Sequence, residues 1–343
     1  CNKIRTITSI LKHTKLDLVF TDCDNVFKSD PFLPSLTLGS LMRSNAYEYV
    51  YGRKSTPPGP KESEYHTEPV KANTGFYYVA GSRKSAGVQH VFDAGVNFCN
   101  IHKGQDDQES FWDALVQLRK GQSKDAAAFK CFRHCGPNNA TVCAGHDEST
   151  VFNYCDMSPW EYVEGSFNDA QNKKDLPLVA YHANWVFGKD GKIGKLKALK
   201  LWDFWDSTTN QCRPFEPLNV SGVPGATPFL EPAKAANAMD VVRKHAGLYI
   251  SKTRAPEFSG TVLVTSANYG YLDMLQNWEC SAQKLGLDWV VIAMDTKLYS
   301  HLGPERSILV EGEKVEGSSR FGSGDFAVIA CNKIRTITSI LKH

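Results

Sequence analysis

Residues Cys1 to His13 read CNKIRTITSILKH, and Cys331 to His343 read the same thirteen letters. Identity over such a span does not arise by chance, so the chain carries a period of 330 residues, about one domain length. Two explanations fit: a window cut from a tandem array of near-identical domains, or a permuted or mis-assembled chain that overruns its own start. In both, a folded unit runs from somewhere in residues 217–256, through Ala330 and the repeated segment, then through Thr14 to about Phe215. The numbering opens in mid-domain. Only one copy of the repeat can precede the strand that follows it. Residues 1–13 are covalently joined to that strand and short loop closure favours them. Residues 331–343 are then expected to be displaced, frayed or docked on a neighbour.

The seam has the composition of a linker. Residues 217–232 are rich in proline with Ser and Gly, and proline denies the backbone regular hydrogen bonding. After it, residues 233–250 read as a helix, from the good formers in AKAANAM. The run TVLVT at 261–265 reads as a buried strand, a loop follows at 266–270, and residues 272–285 have helical apolar spacing. Residues 289–294 read as a second buried strand ending at Asp295. Residues 326–330 lead into the repeated helix, and LDLVF at 16–20 is a further strand ending at Asp22. Strand, helix, strand, helix, strand is the pattern of a parallel sheet covered by helices. Ligands of such sheets sit beyond the carboxyl ends of the strands, where residues 265–268, Asp295 and residues 22–24 should converge.

Bulk composition narrows the partners. The chain has 343 residues, 39 basic against 37 acidic, for a net charge of +2. That balance leaves no electrostatic footprint for nucleic acid or an anionic membrane surface, so neither is an expected partner. No apolar run approaches the ~20 residues that cross a bilayer. The opening residues are amphipathic rather than signal-like, so the fragment is expected to be soluble, with any targeting segment outside it. Of ten cysteines, Cys131, Cys135, Cys143 and Cys155 crowd one Gly- and Asn-rich segment. A zinc site with His134 or His146 competes with one or two disulfides stapling a loop. The spacing matches no familiar zinc pair, and disulfides imply a secretory compartment. Asn139-Ala140-Thr141 and Asn219-Val220-Ser221 are glycosylation sequons.

The sharpest local signal is FTDCDNVF at 20–27. Asp22 and Asp24, one residue apart just past a buried strand, can approach one divalent cation together with a diphosphate. Mg²⁺ or Mn²⁺ prefers such oxygen ligands and leaves positions for phosphate. An isolated D-x-D is also what a solvated strand-end loop looks like. A hydrophobic strand followed by D-x-D-x-V further resembles the first motif of haloacid-dehalogenase-like phosphatases, with Asp22 as nucleophile. Thr265 or Ser266, a lysine and Asp106-Asp107 would then complete the site. Their order fits poorly, because Asp106-Asp107 precedes a helix instead of closing a buried strand.

Several further pieces, taken in permuted order, carry a family resemblance. They are TSANYGYL at 265–272 with its helix, the segment 16–31 with the D-x-D, and NTGFY at 73–77. Asp107-Gln108 at a helix start follows, then HANW at 182–185 with Gly188, Lys192 and Leu201-Trp202. In this register the chain resembles the nucleotide-diphospho-sugar transferases of Golgi type, whose plant members include xylosyl- and arabinosyltransferases. The Cys131–Cys155 segment has no counterpart there. The resemblance implies a GT-A type α/β fold, with a Rossmann-like, mostly parallel central sheet flanked by helices. Residues 1–216 would carry the metal site and acceptor part, 217–256 the linker and helix at the seam, and 257–330 the nucleotide-binding part, with 331–343 duplicating 1–13.

The same resemblance assigns roles. Asp22, Asp24 and His182 would hold Mn²⁺ or Mg²⁺; a lone histidine after an apolar strand is otherwise a structural residue. Thr265, Ala267, Asn268, Tyr271 and Asp295 would bind base and ribose. Lys3 would touch phosphate or base, with Lys333 as its duplicate. Asn73, Gly75, Asn184 and Gly188 would line the donor, glycine allowing close backbone approach. Lys192, with Lys195 as a weaker substitute, would offer a point charge to the departing diphosphate. Asp107 and Gln108 would face the donor sugar, although a helix start also wants such residues as caps. Either Asp106 or Asp107 is the candidate nucleophile or base. Trp160, Trp185, Trp202 and Trp205 include candidates for an acceptor-stacking platform, though most tryptophans are packing residues.

The expected reaction is metal-dependent transfer of a sugar from a nucleoside diphosphate, a uridine one by preference. The acceptor is a hydroxyl of a glycan or glycoprotein, anomeric configuration is retained, and the setting is the Golgi lumen. A non-catalytic glycan-binding domain is the third reading beside the transferase and the phosphatase.

Overall fold

The computed structural model describes residues 2–54, 71–83, 85–102, 106–121, 129–136, 143–165, 178–202, 204–206, 208–209, 211–213, 238–251 and 255–309. The expected linker at 217–232, both sequons, the segment 326–330 and the second repeat at 331–343 lie outside them.

In chain order the elements are α1 (Asn2–Thr14), β1 (Asp17–Asp22), β2 (Asn25–Phe27), α2 (Thr37–Ser44), β3 (Tyr49–Arg53) and β4 (Ala72–Val79). They continue with α3 (Ser85–Ile101), α4 (Asp107–Arg119), β5 (Cys131–His134), β6 (Val151–Asp156), β7 (Tyr162–Glu164) and β8 (Ala180–His182). Then come α5 (Lys189–Ala198), β9 (Trp205–Asp206), β10 (Gln211–Cys212), α6 (Ala238–Lys244), β11 (Thr261–Ala267), α7 (Leu272–Lys284), β12 (Val290–Ala293), α8 (Thr296–Leu302) and β13 (Ser307–Leu309).

Eight strands form one sheet in the order β13-β12-β11-β1-β4-β3-β6-β5. Strands β13, β12, β11 and β1 are mutually parallel, as are β3, β6 and β5, while β4 runs against both neighbours. This is the expected mostly parallel sheet. At its centre β1 pairs with β11 from Asp17↔Thr261 to Asp22↔Ser266, so strands from opposite ends of the numbering are immediate neighbours.

Alternate residues feed opposite layers, as the two-residue period of a strand requires. Leu18, Phe20, Val262, Val264, Val290 and Ile292 pack with Ile4, Ile7 and Leu11 of α1, Phe92 of α3 and Phe111 of α4. Val19, Leu263, Val291 and Ala293 pack with Met274, Leu275 and Trp278 of α7 and with the second sheet. Both faces are covered, which is why these strands read as nearly continuous apolar runs. Helix α1 presents its isoleucines at helical spacing and fills the slot ahead of β1, packed on α3 and α6.

A second sheet, β2-β8-β7, lies over the carboxyl edge of β1. Strand β2 is antiparallel to β8 and sets Asn25 opposite His182, while β7 is parallel to β8 and sets Glu164 beside His182.

One expectation changes and one is met. The helix expected over 233–250 is described only as Ala238–Lys244. It stops there because Gly247 and Leu248 take positive φ (125° and 62°), turning the chain so that the Gly247 N–H reaches the Thr261 carbonyl at 2.5 Å. The four crowded cysteines form Cys131–Cys143 and Cys135–Cys155 disulfides, which leaves no thiolate there for zinc. A third bridge, Cys212–Cys280, ties β10 to α7, and Cys99 is also disulfide-bonded.

On α7, Glu279 accepts a hydrogen bond from the Trp289 indole at 3.1 Å. Burial lifts its carboxyl from 4.5 to about 7, against the smaller opposing pulls of that bond and of Arg306. A raised acid favours folding while it is protonated, so its contribution is full below pH 4.5 and is lost as pH rises through 7. Denaturant titrations at pH 5 and pH 8 check this. The loss of stability between the two pH values should be smaller in Glu279→Gln than in the unmodified protein by about 2–3 kcal/mol.

Candidate functional site

The apolar run of β1 ends at Thr21-Asp22, and the sheet delivers Asp22 to its carboxyl edge. One tight turn places Asp24 beside it before β2 begins. Pairing of β2 with β8 then brings in His182. The His182 Nε2 lies 3.1 Å from Asp24 Oδ1 and 3.8 Å from Asp22 Oδ2. One ligand atom from each of the three side chains lies within 4.8 Å of the others. Ligands about 2.1 Å from an octahedral ion sit about 3 Å apart when adjacent and about 4.2 Å when opposite, so the set fits a small hard cation.

The backbone around this cluster is shaped to admit it. A Cβ on Gly75 would lie 2.1 Å from His182 Cε1 and 2.8 Å from Asp22 Oδ2, so any larger residue here would push both side chains out of the cluster. Asn73 accepts the Gly75 N–H at 2.7 Å, and the Asn25 amide bonds the Gly75 carbonyl at 2.9 Å and the Asp22 carbonyl at 3.2 Å. Asn25 therefore staples the end of β1 to β4.

Charge is matched at close range. Lys192, from α5, pairs with Asp24 Oδ2. Burial works against the Asp24 charge, but Lys192 and His182 outweigh it and hold the carboxyl well below the ordinary range. Asp22 moves the other way: burial pushes it up, Lys3 opposes this, and the Asp24 charge adds to the rise. Lys3 Nζ bridges Asp22 Oδ1 at 3.3 Å and Asp107 Oδ2 at 2.8 Å. Burial would lower the Lys3 ammonium, yet Asp107 and Asp22 raise it further. Lys192 is likewise raised, burial being overcome by Asp24. Lys3, the expected phosphate or base contact, thus stands between two carboxylates.

The Asp106–Gln108 group sits at the start of α4. Asp106 is the N-cap, its carboxylate accepting the Glu109 N–H at 2.7 Å. Asp107 also accepts from the Thr74 hydroxyl at 3.0 Å, and burial notwithstanding, Lys3 holds it well below the ordinary carboxylate range. Gln108 accepts the Thr74 N–H at 3.3 Å. Helix α4 is thereby hung on the same stretch of β4 that carries Gly75.

The expected nucleotide residues are spread along the carboxyl ends of β11 and β12. Thr265 is fully enclosed within the sheet, and Ala267 is buried at the strand end. Asn268 and Tyr271 are partly exposed; Asn268 precedes a single helical turn and Tyr271 ends it. The Tyr271 hydroxyl is raised by burial, against the pull of Lys192, which places it on the metal-site side. Asp295 caps α8 through the Leu298 N–H at 2.7 Å and takes the Tyr269 N–H at 2.7 Å, so its carboxylate ties the two strand ends together.

Beyond His182, Asn184 accepts the Gly165 N–H at 2.6 Å and donates to Glu164 Oε2 at 3.1 Å. Gly188, at φ 73°, is the N-cap of α5 and lets the chain turn into the helix that carries Lys192. Thr74, Asn25 and buried Glu164 escaped the sequence reading. Each acts by a contact distant in the chain, and no local pattern marks them.

Asp106→Ala removes the α4 cap and should cost about 1 kcal/mol of stability, read as a shift in the denaturation midpoint.

A family model described as nucleotide-diphospho-sugar transferase matches residues 1–196. No curated protein and no solved structure matches the chain.

Proposed function

The chain belongs to the nucleotide-diphospho-sugar transferase family, and from that premise we propose a metal-dependent glycosyltransferase using a nucleoside diphosphate sugar, UDP-linked by preference. The acceptor is a hydroxyl on a glycan or glycoprotein, and anomeric configuration is retained. The observation that carries the reading is the convergence of Asp22, Asp24 and His182 at the carboxyl edge of a mostly parallel sheet.

In this reading Asp22, Asp24 and His182 hold Mn²⁺ or Mg²⁺, which when bound supplies Lewis-acid neutralisation of the leaving diphosphate. Lys192 lies on Asp24 and offers its charge to the diphosphate as well. Gly75 and Asn73 bring the β4 backbone close to the sugar, while Asn268 and Tyr271 face the nucleotide. Neither Asp106 nor Asp107 suits a general base. One is tied up as a helix cap, and the other is a stabilised anion with little affinity for a proton. A front-face transfer, in which the leaving diphosphate takes the acceptor proton, requires no side-chain base.

Residues 257–330 are read as the nucleotide half in permuted order. The β1–β11 pairing supports this, since it joins β11 of that stretch to β1 of the metal-site half within one sheet. The disulfides support a secretory setting, with the Golgi lumen as the proposed place.

Calorimetric titration with UDP, with and without Mn²⁺, tests the reading. UDP should bind appreciably tighter when the ion is present. Asp24→Asn should weaken the Mn²⁺-dependent affinity about tenfold or more. Gly75→Ala should weaken it comparably, because the new methyl group displaces His182. Equal UDP affinity with and without the ion would refute the transferase. Turnover of phosphate esters abolished by Asp22→Asn would favour the phosphatase instead.

A further inference from the structure

Among the described residues few large apolar side chains stand in solvent, and two of them lie in the short loop that follows His182. Trp185 is 57% exposed and Phe187 is 70% exposed, both between His182 and α5. A loose surface tryptophan would explain little, but Trp185 is held. Its indole N–H donates to Glu164 Oε2 at 3.2 Å and is shared with the Lys54 carbonyl at 3.4 Å. Its backbone takes φ 59°, a conformation that a bulky side chain rarely adopts. The neighbouring Asn184 clamps the same loop to the end of β7 through Glu164 and Gly165. Polar bonds at one edge therefore fix the ring, and a flat apolar face is left to water.

Glu164 links this ring to the site. It is buried, lies beside His182 in the β7–β8 register, and lines a small cavity with His182, Asn25, Asn73 and Arg53. The ring is thereby bonded to a residue that lines the same small cavity as the proposed metal ligand. A pyranose or furanose ring has an apolar C–H face for the indole and hydroxyls for the polar groups beside it. Pre-fixing the ring lowers the ordering cost of binding.

We infer that Trp185, supported by Phe187, is the platform on which the acceptor sugar stacks, with its hydroxyls turned towards the His182 side. This rests on the glycosyltransferase reading, and its test is independent of nucleotide. Saturation-transfer NMR is run on the protein with the methyl α- and β-glycosides of galactose, glucose, xylose and arabinose. At least one glycoside should receive saturation on one ring face. Trp185→Ala should reduce that signal about fivefold, the size of a lost stacking contact. Trp185→Phe should retain part of it, and Phe187→Ala should reduce it less. Since the ring is solvent-exposed, its truncation removes no core packing. No saturation in the unmodified protein, or an equal signal in Trp185→Ala, overturns the inference. So does loss of Mn²⁺-dependent UDP affinity in Trp185→Ala, which would move the ring to the donor side. Failure of UDP to bind the unmodified protein would instead strike the transferase reading, leaving the glycoside result to stand or fall separately.

Discussion

Three carboxylates, Asp22, Asp24 and Asp107, crowd the edge of one sheet, and the surrounding structure is arranged to keep that charge in place. Burying one unpaired carboxylate costs several kcal/mol, and neighbouring like charges add to the cost. Lys3 answers two of them, Lys192 answers the third, and His182 adds a nitrogen to the same cluster. Each partner comes from a different element. The position of α1, α4, α5 and β8 around the end of β1 is therefore tied to one electrostatic balance.

That balance explains the divergent behaviour of two neighbouring acids. Asp24, on Lys192 and His182, is held as a firm anion, whereas burial and its neighbour push Asp22 up. A divalent cation between them would satisfy both without long-range rearrangement, because the donor atoms already lie at coordination spacing. Gly75 is the steric condition for that arrangement, and Asn25 fixes the β4 backbone that carries it.

The duplicated segment also acquires a physical meaning. Helix α1 supplies both an apolar face for the sheet and Lys3 for the carboxylates, so whichever copy precedes β1 builds part of the site. In the described residues that copy is the first one. Its neighbour across the sheet, β11, comes from far along the numbering, and the pairing closes a sheet that neither segment could complete alone.

Local pattern was enough for β1, β11, β12 and α7, because long apolar runs and helical spacing are properties of neighbouring residues. It also marked Asp22 and Asp24, whose residue type and strand-end position announce ligand chemistry, whereas His182 entered only through the family resemblance. Disulfides were the favoured reading of Cys131, Cys135, Cys143 and Cys155, but their connectivity stayed open in the sequence, since pairing depends on which Cβ atoms meet in space. Helix capping was already one reading of the acids at the start of α4, but only the fold assigned it to Asp106 and showed that Asp295 ties two strand ends. Only the fold revealed that Lys3 bridges two acids and that Trp185 is pinned by Glu164. Periodicity is written in the chain one neighbour at a time, whereas a contact across the sheet exists only once distant segments have packed.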